Sequence, residues 1–212
     1  MAEEFLKRDW DVVGTVRGTT STRLHELSRR SPGRIEIESL DITMPDQLSA
    51  LRAALAARMF DMLFVNAGVT NNPEETIGEV ATEEFVRVMV TNALGPMRVV
   101  ETLCDLVTVD GTIGVMSSGQ GSVSNNTVGK REVYRGSKAA LNMFMRSFAA
   151  RHAADRRSLV LMAPGWVRTD MGGPEGRLSV EESVPNVVST LLAAQDKPGL
   201  RYLDYLGRTI PW

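Results

Sequence analysis

Short apolar runs alternate with helical patterns along most of the chain, and this alternation limits the possible folds more than any other feature. Glycine, proline, asparagine or aspartate ends each run: Asn66-Ala67-Gly68 follows the run 60–65, and Pro164-Gly165 follows the run 158–163. This rhythm is typical of βαβ units, whose strands form a parallel sheet covered by helices. The sequence therefore predicts an α/β fold with a doubly wound parallel sheet.

The pattern predicts six strands and five main helices. The strands are expected at 10–17, 34–40, 60–65, 111–116, 158–163 and 200–205. The helices are expected at 45–58, 82–108, 133–151 and 181–194, with an earlier one that Thr20 or Ser21 caps and that ends at Arg30. Gly95-Pro96 predicts a break within 82–108, and Leu141, Phe144, Met145 and Phe148 are expected to face inward. No repeat or linker divides the chain, so residues 1–212 are expected to form one domain.

Composition excludes several classes of function. The formal net charge is −2, from 24 Lys and Arg against 26 Asp and Glu, without a long block of one sign, so no nucleic-acid partner is expected. The first residues, Met-Ala-Glu-Glu-Phe-Leu-Lys-Arg, are charged where a secretory signal is apolar, and no run of 18 apolar residues occurs, so we expect a cytoplasmic protein without a membrane partner. One cysteine, Cys104, and two distant histidines make a metal site improbable.

Tyr134 and Lys138 are the first candidates for chemistry. They are four residues apart on a predicted helix, so their side chains lie on one face, one turn apart. An ammonium group near a phenol favours the phenolate, which makes proton exchange with a hydroxyl or carbonyl feasible. Alone, the pair also fits a tyrosine packed on the core beside a surface lysine.

Three further segments follow predicted strands. They are Asn66-Ala67-Gly68, Ser117-Ser118-Gly119 and Pro164-Gly165. Open α/β sheets bind their ligands at the carboxyl ends of the strands, so we expect these segments and the Tyr134-Lys138 pair to share one edge of the sheet. Glycines there allow the backbone to approach a planar ligand closely.

Taken together, these motifs resemble those of the short-chain dehydrogenases/reductases, in consistent order along the whole chain. Tyr134-Arg-Gly-Ser-Lys138 matches the family's Tyr-x-x-x-Lys motif, and Asn66-Ala67-Gly68 matches its Asn-Ala-Gly motif. Asn92 and Ser118 fall where the family has a catalytic asparagine and serine, and the segment from Pro164 to Thr169 matches the nicotinamide contact. The resemblance implies a Rossmann-like fold.

The resemblance also implies the roles of individual residues. The catalytic residues would be Asn92, Ser118, Tyr134 and Lys138; the residues in contact with the cofactor would be Arg17, Asp41, Asn66, Ala67, Gly68, Tyr134, Lys138, Pro164, Gly165 and Thr169. Tyr134 would exchange a proton with the substrate oxygen, Ser118 would hold that oxygen, and Lys138 would lower the pKa of the tyrosine and bind the nicotinamide ribose. Asn92 would position a water that links Lys138 to solvent.

The implied cofactor is NADP(H) and the implied substrate is a small carbonyl compound or alcohol. Arg17 is at the family's contact to a 2′-phosphate, to which a guanidinium group binds well, although a solvated arginine at a strand end remains the alternative. Asp41 either lies near the adenine or caps the next helix. The family commonly pairs two long helices between subunits, here 82–108 and 133–153, so a homodimer or homotetramer is expected.

One family feature is not found in the sequence. The family begins with a strand and a glycine-rich turn, Thr-Gly-x-x-x-Gly-x-Gly, which binds the cofactor pyrophosphate. Measured against that pattern, the fold is expected to be truncated at its amino terminus by roughly 20 residues. Three outcomes are open: a shortened normal enzyme, a sheet that closes up or borrows a strand, or a protein without cofactor function. A non-catalytic binding protein and a cofactor-free lyase or isomerase are therefore kept as alternatives.

Overall fold

A computed structural model describes residues 1–212. Six strands are present: β1 (Val12–Val16), β2 (Ile35–Ser39), β3 (Phe60–Val65), β4 (Val107–Met116), β5 (Ser158–Ala163) and β6 (Gly199–Asp204). The α-helices are α1 (Ala2–Leu6), α2 (Arg23–Arg30), α3 (Pro45–Ala54), α4 (Thr82–Met89), α5 (Gly95–Leu103), α6 (Glu132–Arg151) and α7 (Val180–Ala193). The predicted α/β class is confirmed. The expectation of one domain over 1–212 stays a prediction.

The strands form two parallel pieces. β3, β4, β5 and β6 are neighbours in that order, and β1 pairs only with β2. Every pairing is parallel, and all six residues of β5 are buried between β4 and β6. No strand pairs with both β1 and β3, so the sheet does not close up, which was one of the three outcomes open from the sequence.

Two apolar clusters form the core. The larger contains 23 buried residues, including Val115, Leu141 and Phe148, and the smaller contains eight, mainly from β5 and α7. Side chains alternate across a strand, so the two faces of β5 contribute to different clusters: Leu161 to the larger and Val160 to the smaller. Helices therefore cover the sheet on both faces, as in a doubly wound fold.

The predicted break at Gly95-Pro96 is wrong. The chain stays helical from α4 into α5 through a π-helical turn, Val90–Leu94. Pro96 is tolerated because it lies in the first turn of α5. Gly95 allows close packing instead, since a Cβ there would lie 3.0 Å from the carbonyl oxygen of Ile42. None of the helices combines the length and apolar composition needed to cross a bilayer.

Two smaller predictions about helices are also wrong. Thr22, not Thr20 or Ser21, caps α2: its hydroxyl accepts a hydrogen bond from the Leu24 N–H at 3.3 Å. Phe144 on α6 does not face inward and remains 45% exposed. The apolar stripe of α6 follows Leu141, Met145 and Phe148, and Phe144 lies beside that stripe on the solvent side.

Candidate active site

The four predicted catalytic residues come together beside the carboxyl end of β4. Ser118 follows β4 by two residues, and Tyr134 and Lys138 lie in the first two turns of α6. The Lys138 ammonium donates a hydrogen bond to the Met116 carbonyl at 2.9 Å, which holds α6 against the end of β4. A Cβ built on Gly68 would lie 3.4 Å from both Lys138 Nζ and Asn92 Oδ1, so Gly68 lies directly beside both polar groups.

Asn92 lies in the π-helical turn and is completely buried. Its Oδ1 accepts from the Val69 N–H at 2.7 Å, and its Nδ2 donates to the Val69 carbonyl at 2.8 Å and to the Ser137 hydroxyl at 3.0 Å. The amide therefore ties the loop after β3 to α6. A helix-breaking role for Asn92 does not fit, because the helix continues through this turn, and π-helical turns are frequent at functional sites.

Burial controls the protonation of Tyr134 and Lys138. Burial raises the pKa of the Tyr134 phenol, and the Ser118 hydroxyl and the charge of Arg131 offset this only in part. Burial also lowers the pKa of Lys138 to about 8. The expected lowering of the tyrosine pKa by Lys138 is not seen, since Lys138 Nζ lies 5.9 Å from the ring centroid and burial dominates. The phenol is therefore protonated at neutral pH and can donate a proton.

Ser118 both builds a turn and faces Tyr134. Its hydroxyl accepts from the Gln120 N–H at 3.1 Å, which caps a short 3₁₀ turn, Gly119–Gly121. The same hydroxyl influences the pKa of Tyr134, so the two side chains are close enough to act on one oxygen. Capping of this turn by Ser118 is thus compatible with its predicted contact to the substrate oxygen.

Two supporting residues were not predicted. Asn142 accepts from the Ser117 hydroxyl at 2.6 Å and donates to the Gly121 carbonyl at 3.2 Å, and the Tyr202 hydroxyl donates to the Ser118 carbonyl. Both side chains are buried and hold the turn that carries Ser118. Asn142 continues the spacing of four from Tyr134 and Lys138, which is a sequence signal. Tyr202, on β6, has none, because its contact spans 84 residues.

Apart from Tyr134 and Lys138, the predicted cofactor residues fall into two groups. Arg17, Asp41, Asn66, Ala67 and Gly68 line one cleft of about 1,280 Å³. The hydroxyl and backbone N–H of Thr43 donate to the Asp41 carboxylate at 2.7 and 2.9 Å. These bonds, with a smaller effect of Arg17, hold the pKa of Asp41 below its usual range. Asp41 therefore forms the turn that leads into α3, and a contact with adenine stays a prediction.

The second group, which follows β5 and does not line that cleft, consists of Pro164, Gly165 and Thr169. Pro164 accepts a hydrogen bond from the Ser183 hydroxyl at 2.6 Å. Gly165 has φ +83°, a backbone conformation that favours glycine, and a Cβ there would lie 2.6 Å from the end of the Leu178 side chain. The Thr169 hydroxyl accepts from the Gly172 N–H at 3.0 Å within a local turn. Their contacts with nicotinamide stay predictions.

The residues present fit the two ends of a dinucleotide. The Lys138 ammonium has three N–H donors and gives one to Met116, so it retains donors for ribose hydroxyls beside Gly68. Arg17 forms no salt bridge with any carboxylate, which leaves its guanidinium group available to a phosphate. No group of three or more His, Cys, Asp or Glu side chains is arranged to hold a metal ion.

Known proteins resemble this chain in both sequence and fold. A family model described as enoyl-(acyl carrier protein) reductase matches residues 1–186. A short-chain dehydrogenase/reductase structure from Burkholderia multivorans, with bound NADP, is 63% identical with a TM-score of 0.98, over 100% of this chain and 92% of that one. A carbonyl reductase structure from Pseudomonas aeruginosa PAO1, in complex with NADP, is 31% identical with a TM-score of 0.90, over the same shares of the two chains.

A protein whose name does not describe an enzyme is also similar to this chain. "C-signal" of Myxococcus xanthus is 35% identical over 154 residues, which are 72% of this chain and 92% of that protein. The model match, the two structures and the arrangement of Asn92, Ser118, Tyr134 and Lys138 agree on one class of protein. This chain belongs to the short-chain dehydrogenase/reductase family, and it is an oxidoreductase of that type.

Proposed function

We propose that this protein transfers a hydride between NADP(H) and a small carbonyl compound or alcohol, with Tyr134 as the general acid and base. The observation that carries the proposal is the buried Tyr134 phenol, close to the Ser118 hydroxyl and one helical turn from Lys138. NADP-bound relatives and carbonyl reductases among the similar structures support the cofactor and the substrate class. When bound, NADPH supplies the hydride that reduces the carbonyl carbon.

In the reducing direction, Ser118 and Tyr134 act on the substrate oxygen. The Ser118 hydroxyl donates a hydrogen bond that orients the carbonyl group. As negative charge develops on the oxygen, the Tyr134 phenol transfers its proton to it, and the product is an alcohol. The tyrosinate then regains a proton from solvent. In the oxidising direction the same phenolate accepts the proton of the alcohol.

Lys138 and Asn92 support this proton transfer. With a pKa of about 8, Lys138 is mostly charged at neutral pH. Its remaining N–H donors would hold the ribose hydroxyls of the cofactor. Asn92 positions the loop after β3, and with it Gly68, through its hydrogen bonds to Val69.

Association into a homodimer or homotetramer is part of the proposal. Apolar side chains remain exposed on two long helical segments, with Phe85 and Val86 on α4 and Met143 and Phe144 on α6. Exposed apolar side chains on helices are commonly buried between subunits. The cytoplasmic location stays a prediction.

Calorimetric titration with NADPH and with NADH tests the cofactor assignment. We expect saturable NADPH binding. We expect the variant Arg17→Ala to weaken it by about 10- to 100-fold, since a hydrogen bond to a charged group contributes about 1.5–3 kcal/mol. NADH, which lacks the 2′-phosphate, should be insensitive to that variant. Arg29→Ala, an exposed arginine on α2, is the matched control.

The turnover assay decides between an enzyme and a binding protein. Oxidation of NADPH in the presence of small aldehydes and ketones is expected from the wild-type chain. An absence of heat and of NADPH oxidation up to millimolar cofactor would mean that the chain keeps the family fold without its activity.

A further inference from the structure

One cationic side chain lies beside the candidate acid and is not neutralised by the protein. Arg131 is the residue immediately before α6, about one helical turn before Tyr134. Its side chain is partly buried, and its guanidinium group forms no salt bridge with any carboxylate. Its positive charge is therefore available to a ligand.

The charge of Arg131 acts on the Tyr134 phenol. It opposes part of the rise in the pKa of Tyr134 that burial causes. A charged group changes a pKa in this way when it lies nearby. The guanidinium group is thus close to the place where the proposed substrate oxygen would meet Tyr134 and Ser118.

The backbone holds Arg131 in an unusual but well-anchored position. Gly129, Lys130 and Arg131 all have positive φ, at +70°, +53° and +55°. Residues other than glycine keep this conformation only where the surrounding structure holds them. The Arg131 N–H donates to the Pro73 carbonyl at 3.1 Å, and the Arg131 carbonyl accepts from the Arg135 N–H at 2.9 Å. Arg131 is therefore fixed both to the loop after β3 and to α6.

Neighbouring carboxylates are bound to other groups. The Glu74 carboxylate accepts from the Lys130 ammonium at 2.8 Å, and the Glu132 carboxylate accepts from the Ile77 N–H at 2.8 Å. Lys130 is thus neutralised by its own partner, while Arg131 is not. One free positive charge on this loop remains beside Tyr134.

We propose that Arg131 binds a carboxylate of the substrate, so that the protein prefers small aldehydes or ketones that carry an acidic group over neutral ones. This inference rests on the proposed function, since it specifies the substrate class of the same site. A guanidinium group presents its N–H donors in a planar fork that fits the two oxygens of a carboxylate. One free cation matches the single charge of a carboxylate better than the nearly two charges of a phosphate monoester.

Two-point binding explains what Arg131 adds to the site. Ser118 and Tyr134 would hold the carbonyl oxygen, and Arg131 would hold the carboxylate at the other end of the molecule. A substrate held at both ends has a fixed orientation, which places its carbonyl group correctly before the reaction. A neutral substrate of the same size would be held at one end only.

The test compares pairs of aldehydes that differ in charge and hardly in size. Meta- and para-carboxybenzaldehyde are each assayed against the corresponding formylbenzamide, with NADPH as the reductant. We expect the wild type to show at least about tenfold higher kcat/KM for the carboxylate in one of the pairs, because a charge-assisted hydrogen bond contributes about that much. Salt screens exposed charges, so the preference should fall as NaCl is raised from about 0.02 to 0.5 M.

Variants at two adjacent positions assign the preference to one side chain. Arg131→Gln removes the charge, and we expect it to lower kcat/KM by about tenfold or more for the carboxylate and by less than about twofold for the amide. Arg131→Lys keeps the charge without the planar fork and should lie between wild type and Arg131→Gln. Lys130→Gln is the matched control, since Lys130 has the same left-handed backbone but is paired with Glu74, and it should keep the preference.

Binding of the alcohol products provides a readout that needs no turnover. Saturation-transfer NMR titrates meta- and para-(hydroxymethyl)benzoate and the matched amides against wild type and Arg131→Gln. We expect the wild type alone to bind the benzoate more tightly than the amide. If it does so and reduces no aldehyde, the proposed reaction fails and the carboxylate site stands. If it reduces both members of each pair equally well, the reaction stands and the carboxylate site fails.

Three results would overturn the proposal. The first is a wild type that prefers the carboxylate neither in kinetics nor in binding. The second is an equal loss for both members of a pair in Arg131→Gln, which would give Arg131 a structural role only. The third is an equal loss of preference in Lys130→Gln, which would mean a general attraction by the loop. Each variant is judged by the ratio of two substrates, so a partly unfolded preparation lowers both rates and leaves the ratio unchanged.

Discussion

Burial sets the protonation of two side chains on α6, Tyr134 and Lys138. Tyr134 is 9% exposed and Lys138 is 3% exposed, so the neutral form of each is favoured over the charged form. For tyrosine this preserves the proton that a reduction requires. For lysine it moves the pKa to about 8, closer to neutrality.

Tyr134→Phe removes one oxygen and keeps the packing of the ring. We expect kcat for carbonyl reduction to fall by about 10²-fold or more, because a positioned general acid contributes that much. NADPH affinity, measured by calorimetry, should stay within a few fold of wild type. Unchanged turnover would show that another group donates the proton.

Lys138→Met replaces the buried ammonium group with an apolar chain of similar length. Between pH 8 and 10.5 the folded lysine is mostly neutral while the unfolded one still binds its proton. The stability of wild type relative to the variant should therefore rise through this range, by up to about 3 kcal/mol, and be constant below it. Urea unfolding of both proteins at about pH 7 and about pH 10.5 measures the difference. A difference that falls with rising pH would contradict the lowered pKa.

At the scale of elements, contacts from the far end of the chain hold the loop before α6. The centroid of the Trp212 ring lies 5.7 Å from that of the Tyr202 ring. The Arg146 guanidinium lies 4.8 Å from the centroid of the Trp212 ring. The Trp212 carbonyl accepts from the Ser124 N–H at 3.0 Å. Tyr202 in turn donates a hydrogen bond to the Ser118 carbonyl, so these contacts connect β6 with the segment between β4 and α6.

Trp212→Ala should loosen that loop. Loss of the aromatic and cation–π contacts is expected to lower the free energy of unfolding by about 1–2 kcal/mol. Amide exchange over residues 119–128 should accelerate, and KM should rise more than kcat falls, since the loop borders the site without carrying the acid. Trp212→Phe, which keeps an aromatic ring, is the control. Exchange that is the same in both variants would show that Trp212 does not restrain the loop.

At the scale of the whole molecule, we propose that exposed apolar side chains on α4 and α6 mediate the association of copies. Met143 is 60% exposed and Phe144 is 45% exposed, on the side of α6 that faces away from the sheet. Burial of such side chains between subunits removes apolar area from water, at about 25 cal/mol per Å².

The double variant Met143→Glu with Phe144→Glu tests this association. Sedimentation of the wild type is expected to show a dimer or tetramer, and the variant is expected to be monomeric because two carboxylates would be buried without partners. Val109→Glu, at a position that is 70% exposed on β4, is the control and should leave the assembly unchanged. A monomeric wild type, or a variant that still assembles through α6, would contradict the proposal.

Local sequence patterns were sufficient for the class of fold and for much of the site. The strands 60–65 and 158–163 were predicted with the bounds that the structure shows, since mainly apolar runs ended by Asn-Ala-Gly and Pro-Gly leave little choice. The spacing of Tyr134 and Lys138 predicted their shared helix face, because helical periodicity is a local property.

Contacts between distant segments decided the rest. Burial of Tyr134 and Lys138 set the direction of their pKa values, and the proximity of Tyr202 to Ser118 depends on how β6 packs against the loop after β4. The order β3-β4-β5-β6 is likewise a tertiary property, because it pairs residues far apart in the chain. Sequence by itself determined most of the strands and helices and the family, through periodicity and short motifs. Only the tertiary structure decided the protonation of Tyr134 and Lys138, the support of Ser118 by Tyr202 and the pairing of the strands. Each of these depends on which distant segments pack together and exclude water.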